Sequence, residues 1–180
     1  MEGNEGYTIA KNFITMLMPS HANKVVHYKE GAIPLFNRYQ VETQLEAMYN
    51  PNVQLKSGGY IVINPTEALI SVDVNSGRAT KEKNIEETAV KTNLEAAEEL
   101  GRQLRLRDMA GLIVIDFIDM EDRGNNRAVE QRLKTVLKSD RARIQIGRIS
   151  SFGLLEMSRQ RLRPNVLEAS MTVCAHCDGS

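Results

Sequence analysis

The spacing of apolar residues switches back and forth between residues 60 and 149, and this alternation constrains the fold more than any other feature. Strand-like runs lie at 60–63, 68–74, 112–117 and 143–149. Stretches with helical spacing separate the last three runs, so we predict an α/β fold in which a mixed sheet carries packed helices. The first two runs form a hairpin. The run at 112–117 is expected to lie buried in the middle of the sheet, and the run at 143–149 to form an edge strand.

Two long helices are predicted within this alternation. The first has the spacing of a capping box at Asn84 and Glu87, followed by a continuous apolar stripe. The second is expected to have Asn125 or Asn126 as its N-cap, again followed by an apolar stripe. Both helices connect strands, so they are expected to pack on the sheet as crossovers.

The first fifty residues have a separate pattern of helix, strand and helix. Apolar residues at helical spacing predict a helix at 8–17, which Pro19 ends, and a second helix at 41–48, which ends before Pro51. Between them, residues 24–28 have the composition of a strand. The N-terminal part of the chain is therefore expected to be a helix-strand-helix fragment.

The composition disfavours several classes of protein. Hydrophobic residues make up 42% and charged residues 26% of the chain, which is typical of a globular protein. The longest apolar run is far too short to cross a membrane, and the acidic N-terminus lacks the features of a secretory signal. A cytoplasmic location is therefore expected. A dinucleotide-binding enzyme is disfavoured because no Gly-x-Gly-x-x-Gly turn follows a strand.

Positive charge is concentrated in the C-terminal half. The formal net charge is zero, but residues 121–163 hold 11 Lys and Arg against 5 Asp and Glu. Such a local surplus suits an anionic polymer. A solvated helix face has the same pattern, and charge alone favours this second interpretation.

Two aspartates, Asp73 and Asp116, interrupt or end strand-like runs, where burial of a carboxylate is costly without a compensating charge. If their strands are neighbours, both emerge near one sheet edge, where an open α/β sheet is expected to bind a ligand. Mg²⁺ commonly uses one or two carboxylates together with phosphate oxygens, so we predict a magnesium site. Asn75 is expected to orient Asp73, and Asp119 to support the site or begin a helix. Each acid could instead cap a strand or pair with an arginine.

The same residues resemble the catalytic motifs of the ribonuclease E/G family. SVDVNSGR at 71–78 is similar to the first motif and GLIVIDFIDM at 111–120 to the second. Further similar blocks, in the family's order, are IEET at 85–88, NLEAA at 93–97, RQLRLRD at 102–108, DRARIQI at 140–146 and FGLLEMSRQRL at 152–162. IPLF at 33–36 and YQVE at 39–42 resemble the end of the family's ribonuclease H-like subdomain.

The resemblance implies an endoribonuclease that hydrolyses single-stranded RNA in RNA processing and decay and leaves a 5′ phosphate. It implies that Asp73 and Asp116 bind the catalytic magnesium ion and that Asn75 supports them. The family's S1 domain and its sensor for a 5′ monophosphate have no counterpart residues in the sequence. The alternative is therefore a catalytically weak RNA-binding or oligomerisation module.

The resemblance also implies a domain organisation. Residues 57–168 would form a deoxyribonuclease I-like catalytic subdomain. A partial ribonuclease H-like segment at 1–56 would precede it, and a zinc-link segment at 169–180 would follow it.

The cysteines Cys174 and Cys177 have the spacing of half a zinc site. Structural zinc needs four ligands, so a second chain would supply the other two. This arrangement is similar to the family's zinc link, which implies a homo-oligomer: a dimer, or a tetramer in the full-length family. His176 is expected to be a spacer rather than a ligand. The alternative is a pair of free thiols near a frayed terminus.

Four arginines are candidates for RNA binding, namely Arg78, Arg141, Arg143 and Arg148. Arg141 and Arg143 are two residues apart around the last predicted strand, so both can reach a phosphate backbone from one face. Aromatic residues make up only 5% of the chain, so platforms for base stacking are scarce. Phe152 is one candidate, although a core position is expected for it.

Overall fold

The computed structural model of the chain describes residues 1–29, 33–77, 85–172 and 174–177. The chain divides into two compact units, Met1–Ala47 and Met48–Ser180. The strand Asn52–Gln54, which the resemblance placed in the segment 1–56, is hydrogen-bonded into the sheet of the second unit. The domain bounds implied by the resemblance stay predictions. The ribonuclease H-like and deoxyribonuclease I-like assignments stay predictions.

The first unit is helical in its described residues. It contains α1 (Asn4–Leu17), a 3-10 helix (Pro19–Lys24), α2 (Leu35–Arg38) and α3 (Val41–Ala47). The helices predicted at 8–17 and 41–48 are confirmed. The strand predicted at 24–28 is wrong, because Tyr28 forms only an isolated parallel bridge with Glu2 and the described part of this unit holds no strand that could extend the pairing.

The second unit is built on a six-stranded sheet. Its strands are β1 (Asn52–Gln54), β2 (Tyr60–Pro65), β3 (Ile70–Asn75), β4 (Gly111–Asp116), β5 (Ile144–Ile149) and β6 (Leu154–Arg159). They lie in the order β1-β2-β3-β4-β6-β5; β3 and β4 pair in parallel, and the other neighbours pair antiparallel. The helix α4 (Ile85–Leu106) lies in the crossover that this parallel pair requires. The predicted α/β fold with a mixed sheet is confirmed.

Two long helices, α4 and α5 (Arg123–Leu137), pack against one face of the sheet. Alternate strand residues form the core with them: Ile61, Ile63, Val72, Val74, Ile113, Ile115, Leu155 and Met157. Because successive side chains of a strand alternate, the residues between these point to the other face, which α4 and α5 leave uncovered. The run predicted at 112–117 forms the central strand β4, as expected. This strand is buried on one face only, and Leu112 on its other face is 46% exposed.

The other elements agree with the sequence in outline. The predicted hairpin is β2–β3, and β5 is the predicted edge strand. Helix α5 begins earlier than expected: Asp122, rather than Asn125 or Asn126, is its N-cap, and the Asp122 carboxylate accepts a hydrogen bond from the Gly124 N–H at 2.7 Å. The expected cap Asn84 lies outside the described residues. A short helix, α6 (Val166–Ser170), follows β6.

None of the helices in the described ranges combines the length and the apolar character needed to span a membrane.

Candidate active site

Asp73 and Asp116 lie side by side in the sheet. They are direct register partners in the parallel pair of β3 and β4, and Asp116 is the last residue of its strand. Neighbouring strands lie about 4.8 Å apart, so the two carboxylates are close enough to share a ligand. Both side chains are exposed on the face that α4 and α5 leave uncovered.

The alternation of the strands places these carboxylates in solvent. Val72 and Val74 flank Asp73 and lie in the core, as Ile115 does next to Asp116, so both acids point away from the helices. Our expectation of costly burial is wrong for this reason. Within the described residues neither carboxylate forms an ion pair, so two like charges stand next to each other with no cation beside them.

Asn75 lies on the same face of β3 as Asp73. The Asn75 Nδ2 donates a hydrogen bond to Oδ2 of Asp73 at 2.8 Å. Side chains two residues apart in a strand share a face, which is the relation that the sequence predicted. The hydrogen bond orients the carboxylate and leaves Oδ1 of Asp73 free to bind a ligand.

A buried asparagine, which the sequence analysis missed as a functional candidate, holds the loop that follows Asp116. The Asn93 side chain, on α4, donates to the Ile118 carbonyl oxygen at 2.8 Å and accepts from the Ile118 N–H at 3.0 Å. Asn93 is fully buried. The sequence could have indicated this role, because Asn93 is next to Leu94 on an apolar helix face. An asparagine that is buried there needs hydrogen-bond partners for both polar atoms of its amide.

The turn between β5 and β6 approaches the carboxylates closely. Its residue Gly153 has φ +77°, in the left-handed region that favours glycine. A Cβ there would lie 2.9 Å from Oδ1 of Asp119, 3.2 Å from the Phe117 carbonyl oxygen and 3.9 Å from Oδ1 of Asp116. A side chain would therefore disturb the site. Asp119 lies in the loop that follows Asp116, and not at the start of a helix.

The structure separates the arginines predicted to contact RNA. Arg78 lies outside the described residues. Arg141 and Arg143 are exposed just before β5, level with the start of β4 and therefore about 17 Å along the strand direction from Asp116. Arg148, near the end of β5, is exposed at the same end of the sheet as Asp116.

The two cysteines are exposed in a turn at 174–177. Hydrogen bonds from the backbone N–H groups of His176 and Cys177, and from the Cys177 side chain, lower the pKa of Cys174 below its ordinary value. These donors favour the thiolate, which is the form that binds a metal. The described ranges contain no cluster of three or more His, Cys, Asp or Glu suited to a metal ion.

The fold and the site together define an α/β protein with a solvent-facing pair of carboxylates on adjacent parallel strands. Residues 1–162 match the Ribonuclease E/G family. The chain belongs to this family, which confirms the resemblance seen in the motifs at 71–78 and 111–120.

Individual relatives are similar over nearly the whole chain. Ribonuclease E of Haemophilus influenzae is 54% identical over 171 residues, and Ribonuclease E of Escherichia coli is 56% identical over 173 residues. These matches cover 95% and 96% of this chain but only 18% and 16% of the relatives. Ribonuclease G of Escherichia coli is 36% identical over 173 residues, which cover 35% of that protein. The chain thus spans less than a fifth of the length of these two ribonuclease E relatives.

Proposed function

We propose that this chain carries the catalytic centre of an endoribonuclease that hydrolyses phosphodiester bonds of single-stranded RNA with a magnesium ion. The register pairing of Asp73 with Asp116 on an open face is the observation that carries the proposal. The names of the relatives support RNA as the substrate. Identity is higher to ribonuclease E than to ribonuclease G, which favours an E-type role in RNA processing and decay.

The donors at this site fit a magnesium ion. Mg²⁺ takes oxygen ligands, keeps several waters and needs only one or two protein carboxylates beside substrate phosphates. Asp73 and Asp116 supply two carboxylates on an open face, where water and phosphate oxygens have access. When bound, the ion supplies positive charge against a reacting phosphate and lowers the pKa of a water molecule.

The chain's own residues keep the two carboxylates in position. Asn75 orients Asp73 through its hydrogen bond, while Asn93 holds both backbone groups of Ile118, two residues beyond Asp116. Gly153 lets the β5–β6 turn close against this loop. A site held within a fraction of an ångström aligns a nucleophile with its phosphate far better than a mobile one.

Cleavage of a labelled single-stranded RNA by the 180-residue chain tests the proposal. We expect cutting with Mg²⁺, none in EDTA, and downstream products that carry a 5′ phosphate detectable by mass spectrometry. Cleavage that persists in EDTA, or products with a 5′ hydroxyl, would exclude metal-assisted hydrolysis. RNA binding without any cutting would instead support the alternative of an RNA-binding or oligomerisation module.

We further propose that Cys174 and Cys177 share a zinc ion with the same pair of a second chain. The Cys177 side chain lies close enough to the Cys174 thiol to contribute to its lowered pKa, which supports a ligand shared by both thiols, and tetrahedral zinc needs two more ligands. Two copies of the pair complete such a site. A homo-oligomer therefore follows, with the dimer as its smallest form.

Zinc content and mass in solution test this link. We expect one zinc per two chains and a dimer by light scattering, and monomers after Cys174→Ser or treatment with a chelator. His176→Ala is the matched control and should remain dimeric, because a spacer supplies no ligand. An unchanged mass after Cys174→Ser would contradict the shared zinc site.

A further inference from the structure

A basic cleft lies between α5 and the end of β5, at the end of the sheet that carries Asp116. We define it by Arg123, Arg127 and Lys134 from the helix, Arg148 from the strand, and Ser150 and Ser151 from the following turn. Its volume is about 720 Å³. The three helix cations recur at the spacing of one helix face, so the sequence of α5 itself directs them to one side.

The cations of this cleft stand apart from the ion pairs found in the described part of the chain. None of the four forms an ion pair with a described carboxylate. Arg132, on the same helix, differs in this respect, since it pairs with Glu98 at 2.7 Å. One acid, Glu130, lines the cleft, and its Oε1 accepts a hydrogen bond from the Ile149 N–H at 2.9 Å.

The β5–β6 turn connects the cleft to the carboxylates. Ser150 and Ser151 line the cleft, whereas Gly153, at the end of the same turn, lies against Asp119 and Asp116. Consecutive Cα atoms are about 3.8 Å apart, so Ser151 and Gly153, two residues apart in this turn, are at most about 8 Å from each other. Phe152 is 81% exposed between them, so our expectation of a core position is wrong, and its ring is open to a stacked base.

We propose that this basic cleft binds the RNA phosphate backbone beside the phosphate that is cleaved. The proposal rests on the proposed function. Guanidinium and ammonium groups held close together match phosphate oxygens, and an open cleft suits a chain that passes through it. The nearby carboxylates favour RNA over an acidic protein as the occupant, because a polyanion bound in the cleft can continue around the β5–β6 turn to the cleavage site.

RNA affinity measured without cleavage tests the cleft. Fluorescence anisotropy in EDTA compares the unmodified chain with the triple variant Arg127→Gln, Lys134→Gln, Arg148→Gln. We expect an affinity at least about ten-fold lower at low salt, and a slope of log affinity against log salt that falls by about 2, because each lost contact to a single strand contributes about 0.7. The residues are at the surface, and a thermal melt checks that the variant is folded.

The matched control removes the same charge elsewhere. Arg102→Gln, Arg132→Gln, Arg161→Gln deletes three arginines that pair with glutamates, and should retain most of the affinity. An equal loss of RNA affinity in both triple variants would overturn the proposal that the cleft binds RNA. The absence of RNA binding by the unmodified chain would overturn it as well. If only the cleft variant loses RNA affinity, and the unmodified chain does not cut RNA with Mg²⁺, the cleft is supported as an RNA-binding site and the proposed cleavage activity is wrong.

Discussion

Replacing Asp73 or Asp116 with asparagine is expected to lower kcat/KM for RNA cleavage by at least about 100-fold. An amide is a much weaker ligand for Mg²⁺ than a carboxylate, and even residues that only support metal ligands commonly cost 10- to 100-fold when changed. The double variant should lose little more than either single one, because the two acids act on one ion as a unit. Initial rates on a fluorescent single-stranded RNA measure the effect.

The same substitutions are expected to leave the fold intact. Both side chains are exposed, so the free energy of unfolding should change by no more than about 0.5 kcal/mol. Asparagine at position 73 can still accept the hydrogen bond from Asn75. Loss of activity with an unchanged thermal melt therefore separates a chemical role of the carboxylates from a structural one.

Asp108→Asn is the matched control for this pair. Asp108 has φ 51°, which asparagine tolerates, and it pairs with the exposed Arg163 at 3.1 Å at the far end of the sheet from Asp116. Full cleavage activity is expected for this variant. Equal rates for the unmodified chain and the variants at Asp73, Asp116 and Asp108 would remove the catalytic assignment.

The sequence made the pairing of the acidic strands a reasonable expectation but left their adjacency as a condition, which the structure meets. The strand of Asp73 and the apolar run that ends in Asp116 are connected by a predicted helix. Strands connected in this way are usually parallel to each other. Exposure of the two acids could not be predicted in the same way. It depends on which face of the sheet the helices cover. The sequence of β4 does not reveal this face, because apolar residues such as Leu112 and Val114 also lie on the side that faces away from the helices.

The start of α5 shows a second limit of the sequence. Asp122, Asn125 and Asn126 all have side chains that can cap a helix. In the structure Asn125 donates to Oε1 of Glu86 at 2.7 Å, while the Glu86 carboxylate also accepts from the Glu121 N–H at 3.1 Å. These hydrogen bonds, which lower the pKa of Glu86, join α4 to the first turn of α5 and to the segment before it. Hydrogen bonds between residues far apart in the sequence thus determine which of the three possible residues caps α5.

Strand order was also beyond the sequence pattern. The hairpin of β5 and β6 returns so that β6, rather than β5, pairs with β4. This order brings Gly153 to the carboxylates, and it places Arg159, on β6, within reach of Asp140. The site and the most deeply buried ion pair among the described residues therefore both depend on this strand order.

Replacing Asp140 with asparagine is expected to destabilise the chain by about 3 kcal/mol or more. The Asp140 carboxylate receives two hydrogen bonds from Arg159, at 2.8 and 3.2 Å, and the two side chains are only 2% and 3% exposed. Removal of one partner leaves a buried charge uncompensated, which typically costs 3–5 kcal/mol. Denaturant unfolding at neutral pH measures the difference. Glu168→Gln, which breaks the exposed pair with Arg161, is the control and should cost at most about 1 kcal/mol.

The pH dependence of this loss identifies its cause. Burial alone would raise the pKa of Asp140, but the hydrogen bonds from Arg159 and from the Ala142 N–H lower it below its ordinary value. A lowered pKa in the folded state means that the ion pair stabilises the chain above about pH 4, the unfolded pKa, and that this contribution disappears as the pH falls through the folded value. The stability difference between the unmodified chain and Asp140→Asn should therefore shrink as the pH drops below 4. A difference that stays constant down to pH 2 would show that the asparagine acts through packing, and not through the lost charge.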